Sequence, residues 1–165
     1  MLTETYDKLD TIYSKHGSKE FGKIIQKFLA ISFLMDGYTH IEDRGVQGVD
    51  IDISGIKGKL AIEVKTTIKD NILFGQKDAD GLRKRTNNGY KPILAILKLS
   101  PLSDWLFLDA EKVKVGTIPI FSIRPYRITK IEEEIIPHFN NAVNDHYSEA
   151  LDKGQSYLTD IIKSW

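Results

Sequence analysis

The chain predicts an α/β fold: a helix, three strands, a helix and a further strand, followed by strands and a long helix. Three observations predict it. On both flanks of the segment Ser54-Gly55-Ile56-Lys57-Gly58 the residues alternate in character with period two, which marks a β-hairpin over 48–53 and 59–65. Residues 19–36 carry Phe21, Ile24, Ile25, Phe28, Leu29, Ile31, Ser32 and Met35 at helical spacing. Residues 92–97, PILAIL, form a continuous apolar run suited to a buried strand.

In chain order, residues 3–15 read as a short amphipathic helix through Tyr6, Leu9 and Ile12 or Tyr13. Ser18 is a suitable N-cap for the helix that follows, and Gly37 a suitable stop. Residues 38–43 read as a short strand, Arg44-Gly45 as a turn, and the hairpin comes next. Residues 76–87 read as a helix ended by Asn87-Asn88-Gly89, which carries C-cap and turn signals. Beyond the apolar run, residues 105–108 and 115–123 look like strands, the second demoted towards a sheet edge by Pro119. From Ile128 the pattern becomes helical, with Pro137 expected to break or kink it. Phe139, Ala142, Val143, Tyr147, Ala150, Leu151, Tyr157 or Leu158, Ile161, Ile162 and Trp165 then form a stripe at spacings of three and four. Such a stripe usually packs on its own domain, and a homodimer interface is the second reading.

At 165 residues the chain is expected to be one domain, with a core over 18–98 and an extension over 99–165. The hydrophobic fraction of 41% and charged fraction of 28% are those of a globular protein in water. No apolar run approaches the roughly 20 residues that span a membrane, and the first ten residues lack a secretory pattern. A cytoplasmic location is the expectation. The absence of cysteine excludes disulfides, thiol catalysis and Cys-based zinc sites. His16, His40, His138 and His146 show no metal-ligand spacing.

The hairpin itself carries chemistry. If it is symmetric about its turn, Asp50 lies opposite Glu63, Asp52 opposite Ala61 and Gly48 opposite Lys65. Asp50, Asp52, Glu63 and Lys65 then share one face, while Val49, Ile51, Ile53, Leu60, Ile62 and Val64 share the other. Two ionised carboxylates about 5 Å apart repel by roughly 3 kcal/mol at an effective dielectric near 20, so folding alone does not reward this arrangement. A hard divalent cation reverses the sign, because Mg²⁺ takes one or two carboxylates together with water and phosphate oxygens. The alternative is a solvated outer face on which Lys65 simply neutralises its neighbours.

Asp50 followed by Glu63-Val64-Lys65 on an apolar strand resembles the PD-(D/E)xK nuclease superfamily, with Val49 in place of the motif's Pro. The likeness covers about residues 18–98 and is closest in pattern to archaeal Holliday-junction-resolvase-like enzymes. It implies a restriction-endonuclease-like αβββαβ core, in which a mixed central sheet is flanked by helices. It also implies a Mg²⁺-dependent endodeoxyribonuclease, with Mn²⁺ as a substitute ion. Asp50, Glu63 and the backbone carbonyl of Val64 would hold the metal, and Lys65 would position the attacking water or neutralise developing charge. Glu20 is the candidate for a first-helix acid that joins the metal; an acid in an early helical turn also complements the helix dipole without catalysis. Gln76 is the candidate for a glutamine near the metal, its plainer reading being a capping or surface amide.

The formal net charge of zero weighs against a nucleic-acid enzyme, since duplex binding depends on Lys and Arg displacing counterions. Charge is nevertheless uneven. Lys77, Arg83, Lys84 and Arg85 form a local basic strip beside the expected site, while Glu132, Glu133 and Glu134 load the C-terminal part with acid. Such a strip holds phosphates even when distant acids cancel the total, or it is only a solvated helix face. The expected partner is DNA, bound by a homodimer. A structure-selective, resolvase-like enzyme leads. A small restriction or homing endonuclease is its rival, and a non-catalytic DNA-binding module is the alternative of another class.

Overall fold

The computed structural model describes residues 1–43 and 49–165, so the expected turn at Arg44-Gly45 and the pairing of Gly48 lie outside the described residues. The chain opens with α1 (Thr3–Met35), two helical arms joined at Gly17, whose φ of 74° and ψ of 170° interrupt the helix. The two helices expected from the sequence are these arms. At the far end Gly37 takes a φ of 92°, its N–H donates to Leu34 O and that of Tyr38 to Phe33 O. This left-handed stop closes the last turn and sends the chain into the sheet.

Five strands make that sheet: β1 (His40–Asp43), β2 (Ile51–Gly55), β3 (Gly58–Thr67), then β5 (Lys91–Lys98) and β6 (Trp105–Asp109), hydrogen-bonded in that order. β1, β2 and β3 are antiparallel, β3 and β5 are parallel, and β6 returns antiparallel to β5. The register of β2 on β3 is the symmetric one, with Ile51 opposite Ile62 and Asp52 opposite Ala61. The parallel crossover from β3 to β5 runs through β4 (Asn71–Phe74) and α2 (Gln76–Thr86).

β4 was not expected. It pairs with β7 (Gly116–Pro119) as a separate two-stranded ribbon, Ile72 opposite Ile118. The stretch 115–123 is therefore strand only as far as Pro119, and Ile120–Ile123 coils into a helical turn, α3. Pro119 cannot donate to a ladder, which suits the end of an edge strand. α4 (Thr129–Lys153) runs through Pro137 without a break, and the chain turns instead at Gly154 (φ 66°, ψ −151°) into α5 (Gln155–Ser164). Ile135 and Phe139, buried on either side of Pro137, anchor the helix against the core there.

Apolar packing divides into two layers. Ile51, Ile53, Leu60 and Ile62 face α1, α4 and α5, where Phe28, Phe33, Trp105, Phe107 and Phe139 meet mostly edge to face. The C-terminal stripe is used here: Phe139, Ala142, Val143, Ala150 and Leu158 are buried in this layer. This part of the stripe packs on its own chain, the first of the two readings. On the opposite face Ala61, Leu94, Ile96 and Leu108 pack beneath α2 and the ribbon. Val49 belongs to this second layer, not to the face of Ile51. The chain bends at Asp50, before β2 joins its ladder, so strand alternation does not extend back to Val49. Among the described residues no helix is long and apolar enough to cross a membrane.

Candidate active site

On the face of β3 that alternation turns away from α1, Glu63 and Lys65 point towards the N-terminal end of α2. Glu63 is 4% exposed, a burial few carboxylates tolerate without a compensating partner. Its Oε1 lies 2.7 Å from Lys65 Nζ, while Oε2 is buried and accepts no hydrogen bond among the described residues. Lys65 Nζ lies 2.7 Å from a second acid, Asp78 Oδ2, and so bridges two carboxylates.

Asp50 reaches the same place from the neighbouring arm. Its Oδ2 accepts the Val64 N–H at 2.8 Å, and its own carbonyl accepts the Gln26 side-chain amide from α1 at 2.9 Å. The ladder between β2 and β3 ends at Ile51 and Ile62, which leaves the Val64 N–H free for this carboxylate. The hairpin therefore does bring an acid from each arm together, although Asp50 sits in the bend ahead of β2.

Burial dominates the electrostatics. Burial, reinforced by the charge of Asp50, pushes the Glu63 carboxyl up to about 8. Burial also raises Asp50, against the opposing pull of the Val64 N–H and of Lys65. Burial lowers Lys65, but Glu63 and Asp78 together outweigh it and hold the ammonium above its ordinary range. Asp78 is held below the ordinary carboxylate range, since hydrogen bonds from Lys65 and the Gly75 N–H overcome its burial.

Asp78 is the member that the sequence did not disclose. It is the third residue of α2, and its Oδ2 reaches back to the Gly75 N–H at 2.9 Å, one half of a capping box. The signal was present as an acid in the first turn of a helix after glycine, but that pattern by itself speaks only of capping.

Three expected positions lie elsewhere. Glu20 is not brought to the cluster: Oε1 accepts the Gln155 N–H at 3.2 Å, at the start of α5. The periodicity of α1 turns it towards α4 and α5, as it does His16, whose Nε2 lies 2.8 Å from Leu151 O. Gln76 is also absent from the cluster. Exposed on another face of α2, it donates to Asp80 Oδ1 at 2.8 Å. Arg85 is no free phosphate ligand, because it pairs with buried Asp52 and lies 5.8 Å from the Tyr90 ring centroid. Lys77, Arg83 and Lys84 are exposed on α2; among the described residues only Arg83 of these has an acid nearby, Asp80 at 3.5 Å.

Among the described residues no group of three or more His, Asp or Glu makes a ready-made metal cage. The donor set nonetheless suits a hard cation that keeps much of its water shell. Two carboxylates converge, Glu63 buried and Asp50 half-buried, and Glu63 Oε2 accepts no hydrogen bond among the described residues.

No family model and no curated sequence matches this chain. Among solved structures it is similar to Hjc of Archaeoglobus fulgidus, a Holliday junction resolvase from an archaeal hyperthermophile, with a TM-score of 0.56. The fold is restriction-endonuclease-like. The likeness covers 68% of this chain and 94% of that one at 19% identity, a level that carries the architecture alone. It supports a nuclease fold with a mixed five-stranded sheet between helices.

Proposed function

We propose that the protein is a divalent-metal-dependent endodeoxyribonuclease, resolvase-like in preferring branched DNA. The observation that carries this reading is the convergence of Asp50, Glu63 and Lys65 at the open end of the β2–β3 ladder, with Glu63 Oε2 buried and accepting no hydrogen bond among the described residues. Ionising both acids so placed costs stability, and a cation offsets that cost. Asp50 and Glu63 would hold Mg²⁺ or Mn²⁺, joined by the Val64 carbonyl. In an extended strand the C=O and N–H of one residue point the same way, and the Val64 N–H already faces Asp50. When bound, the metal supplies Lewis-acid polarisation of the scissile phosphate and eases deprotonation of the attacking water.

The chain's own groups do the rest. Lys65 carries a fixed positive charge into a largely buried site, where it orients the water or compensates charge developing on phosphate. Asp78 gives Lys65 a second carboxylate, so the ammonium would keep a partner with Glu63 engaged by a cation. Lys77, Lys84 and Arg83 on the exposed side of α2 would meet the DNA backbone.

The test is a panel of labelled four-way junction, duplex and single strand, incubated with Mg²⁺ or Mn²⁺ and wild type or Glu63→Ala. Cutting confined to junctions, abolished in the variant, supports the proposal. Cuts at a fixed duplex sequence would instead mark a restriction or homing enzyme. No cutting by wild type, with equal DNA affinity in the variant, would mark a binding module.

A further inference from the structure

A cavity of about 710 Å³ opens on the far side of α2 from the acid cluster. Its volume falls in the roughly 300–1,000 Å³ range of small-molecule sites. Phe74, Ala79, Leu82 and Val113 give it an apolar lining, and Pro92 and Ala110 add to it. The rim is polar and partly basic, with Gln76 and Arg83 from α2 and Glu111 and Lys114 from the turn after β6. Lys114 is exposed and has no ion-pair partner among the described residues.

We propose that this cavity binds one nucleotide, its base on the apolar lining and its phosphate between Arg83 and Lys114. The chemistry is matched part by part. A base is a flat body that gains from leaving water, and its polar edge needs a donor and an acceptor, which Gln76 and the Glu111 carboxylate supply. Two cations from separate segments of the rim, Arg83 of α2 and Lys114 after β6, suit a phosphate. A purely apolar ligand would leave Lys114 without function. A bare anion would leave the lining unused.

The nucleotide has two possible sources, free in solution or unpaired within a DNA strand. The second source rests on the nuclease reading. Gln76 lines the cavity while Asp78, two residues on, belongs to the acid cluster, so α2 separates the two by its own width. A strand with one phosphate at the cluster then passes the cavity mouth, where an unstacked neighbour can enter.

The experiment titrates the full-length protein with dAMP and with two hairpin DNAs of one sequence, the first fully paired and the second carrying one unpaired 2-aminopurine. Two variants accompany wild type: Ala79→Trp, which fills the cavity, and Lys114→Glu, a surface change that keeps the proposal testable should the first fail to fold. If the nucleotide comes from DNA, the unpaired hairpin binds about ten-fold tighter than the paired one, and both variants erase that preference. If it is free, dAMP binds saturably and both variants weaken it about ten-fold. Mn²⁺ binding at the cluster stays unchanged in either variant. The proposal is overturned if wild type shows neither saturable dAMP binding nor a preference for the unpaired hairpin, or if Lys114→Glu binds both as wild type does. dAMP binding without any DNA cleavage would retain the cavity assignment and remove the nuclease reading. Normal cleavage with no nucleotide binding would do the reverse.

Discussion

Lys65 Nζ stands 2.7 Å from Asp78 Oδ2 and 2.7 Å from Glu63 Oε1, an ammonium suspended between the first turn of a helix and the middle of a strand. This contact ties α2 to β3 at the candidate site and gives Asp78 two tasks, capping its helix and orienting the lysine. Asp78→Asn keeps the shape and loses the charge. It should lower turnover about 10- to 100-fold, as outer partners of catalytic groups do. Its amide oxygen can still accept the Gly75 N–H, so stability should fall by less than about 1 kcal/mol. Cleavage kinetics beside thermal melts separate the two effects, and a normal cutting rate in Asp78→Asn would leave it a helix cap alone.

Lys65→Ala removes the ammonium itself. Turnover should fall by about 10²–10³-fold or more, the effect of deleting one preorganised group that stabilises charge in the transition state. Mn²⁺ should still bind, since Asp50 and Glu63 are untouched. A Lys65→Ala protein that cuts at the wild-type rate would remove the lysine from the mechanism.

Glu63 makes stability depend on pH in an unusual direction. Folded, it keeps its proton to about pH 8, whereas a carboxyl in the unfolded chain releases it near 4.5. Between those values the folded state binds more protons, so the metal-free protein loses stability as pH rises through the window. Asp50, raised by burial, acts in the same sense. Glu63→Gln carries no such proton, and its melting temperature should fall less between pH 5 and 8.5 in EDTA. Metal needs the ionised carboxylate, so binding to wild type should release protons and tighten as pH approaches 8. Equal pH slopes for wild type and Glu63→Gln would contradict the buried, protonated state assigned to Glu63.

Much of this site was legible because strand pairing leaves little freedom. Once Ser54–Gly58 is read as the turn, period two fixes Asp52 opposite Ala61 and brings Glu63 and Lys65 to one face. The α1 arms were legible from their apolar spacing, β5 from its continuous apolar run, and α2 from the Asn87-Asn88-Gly89 stop that ends it. What escaped was set by tertiary contact. β4 is four residues long and exists by pairing with β7, far along the chain, which no local pattern announces. Asp78 shares its pattern with any helix-capping acid. Glu20 and Gln76 were placed by chain order, but the angle around their helices decided where they point.

Glu20 gives that last point a test. Its carboxylate accepts the first N–H of α5 at 3.2 Å, and the kinked chain at Gly154 passes close beside it. Glu20→Ala should therefore cost about 0.5–2 kcal/mol through the loss of a cap, with Mn²⁺ affinity unchanged. Loss of metal binding with unaltered stability would restore Glu20 to the metal site.

Arg85 and Lys84 are neighbours in sequence with opposite expected phenotypes. Arg85 is mostly buried and pairs with Asp52, which is 4% exposed; Lys84 is exposed and has no ion-pair partner among the described residues. Arg85→Ala takes an ion-pair partner from a buried carboxylate and should destabilise the fold by about 1.5–3 kcal/mol, visible in denaturant titrations. Lys84→Ala and Lys77→Ala should leave stability unchanged. Each should weaken DNA binding on every sequence and flatten the plot of log affinity against log salt by about 0.9 for one lost phosphate contact. A salt slope altered by Arg85→Ala in a fully folded protein, or unaltered by both lysine variants, would reverse which side of α2 faces the DNA.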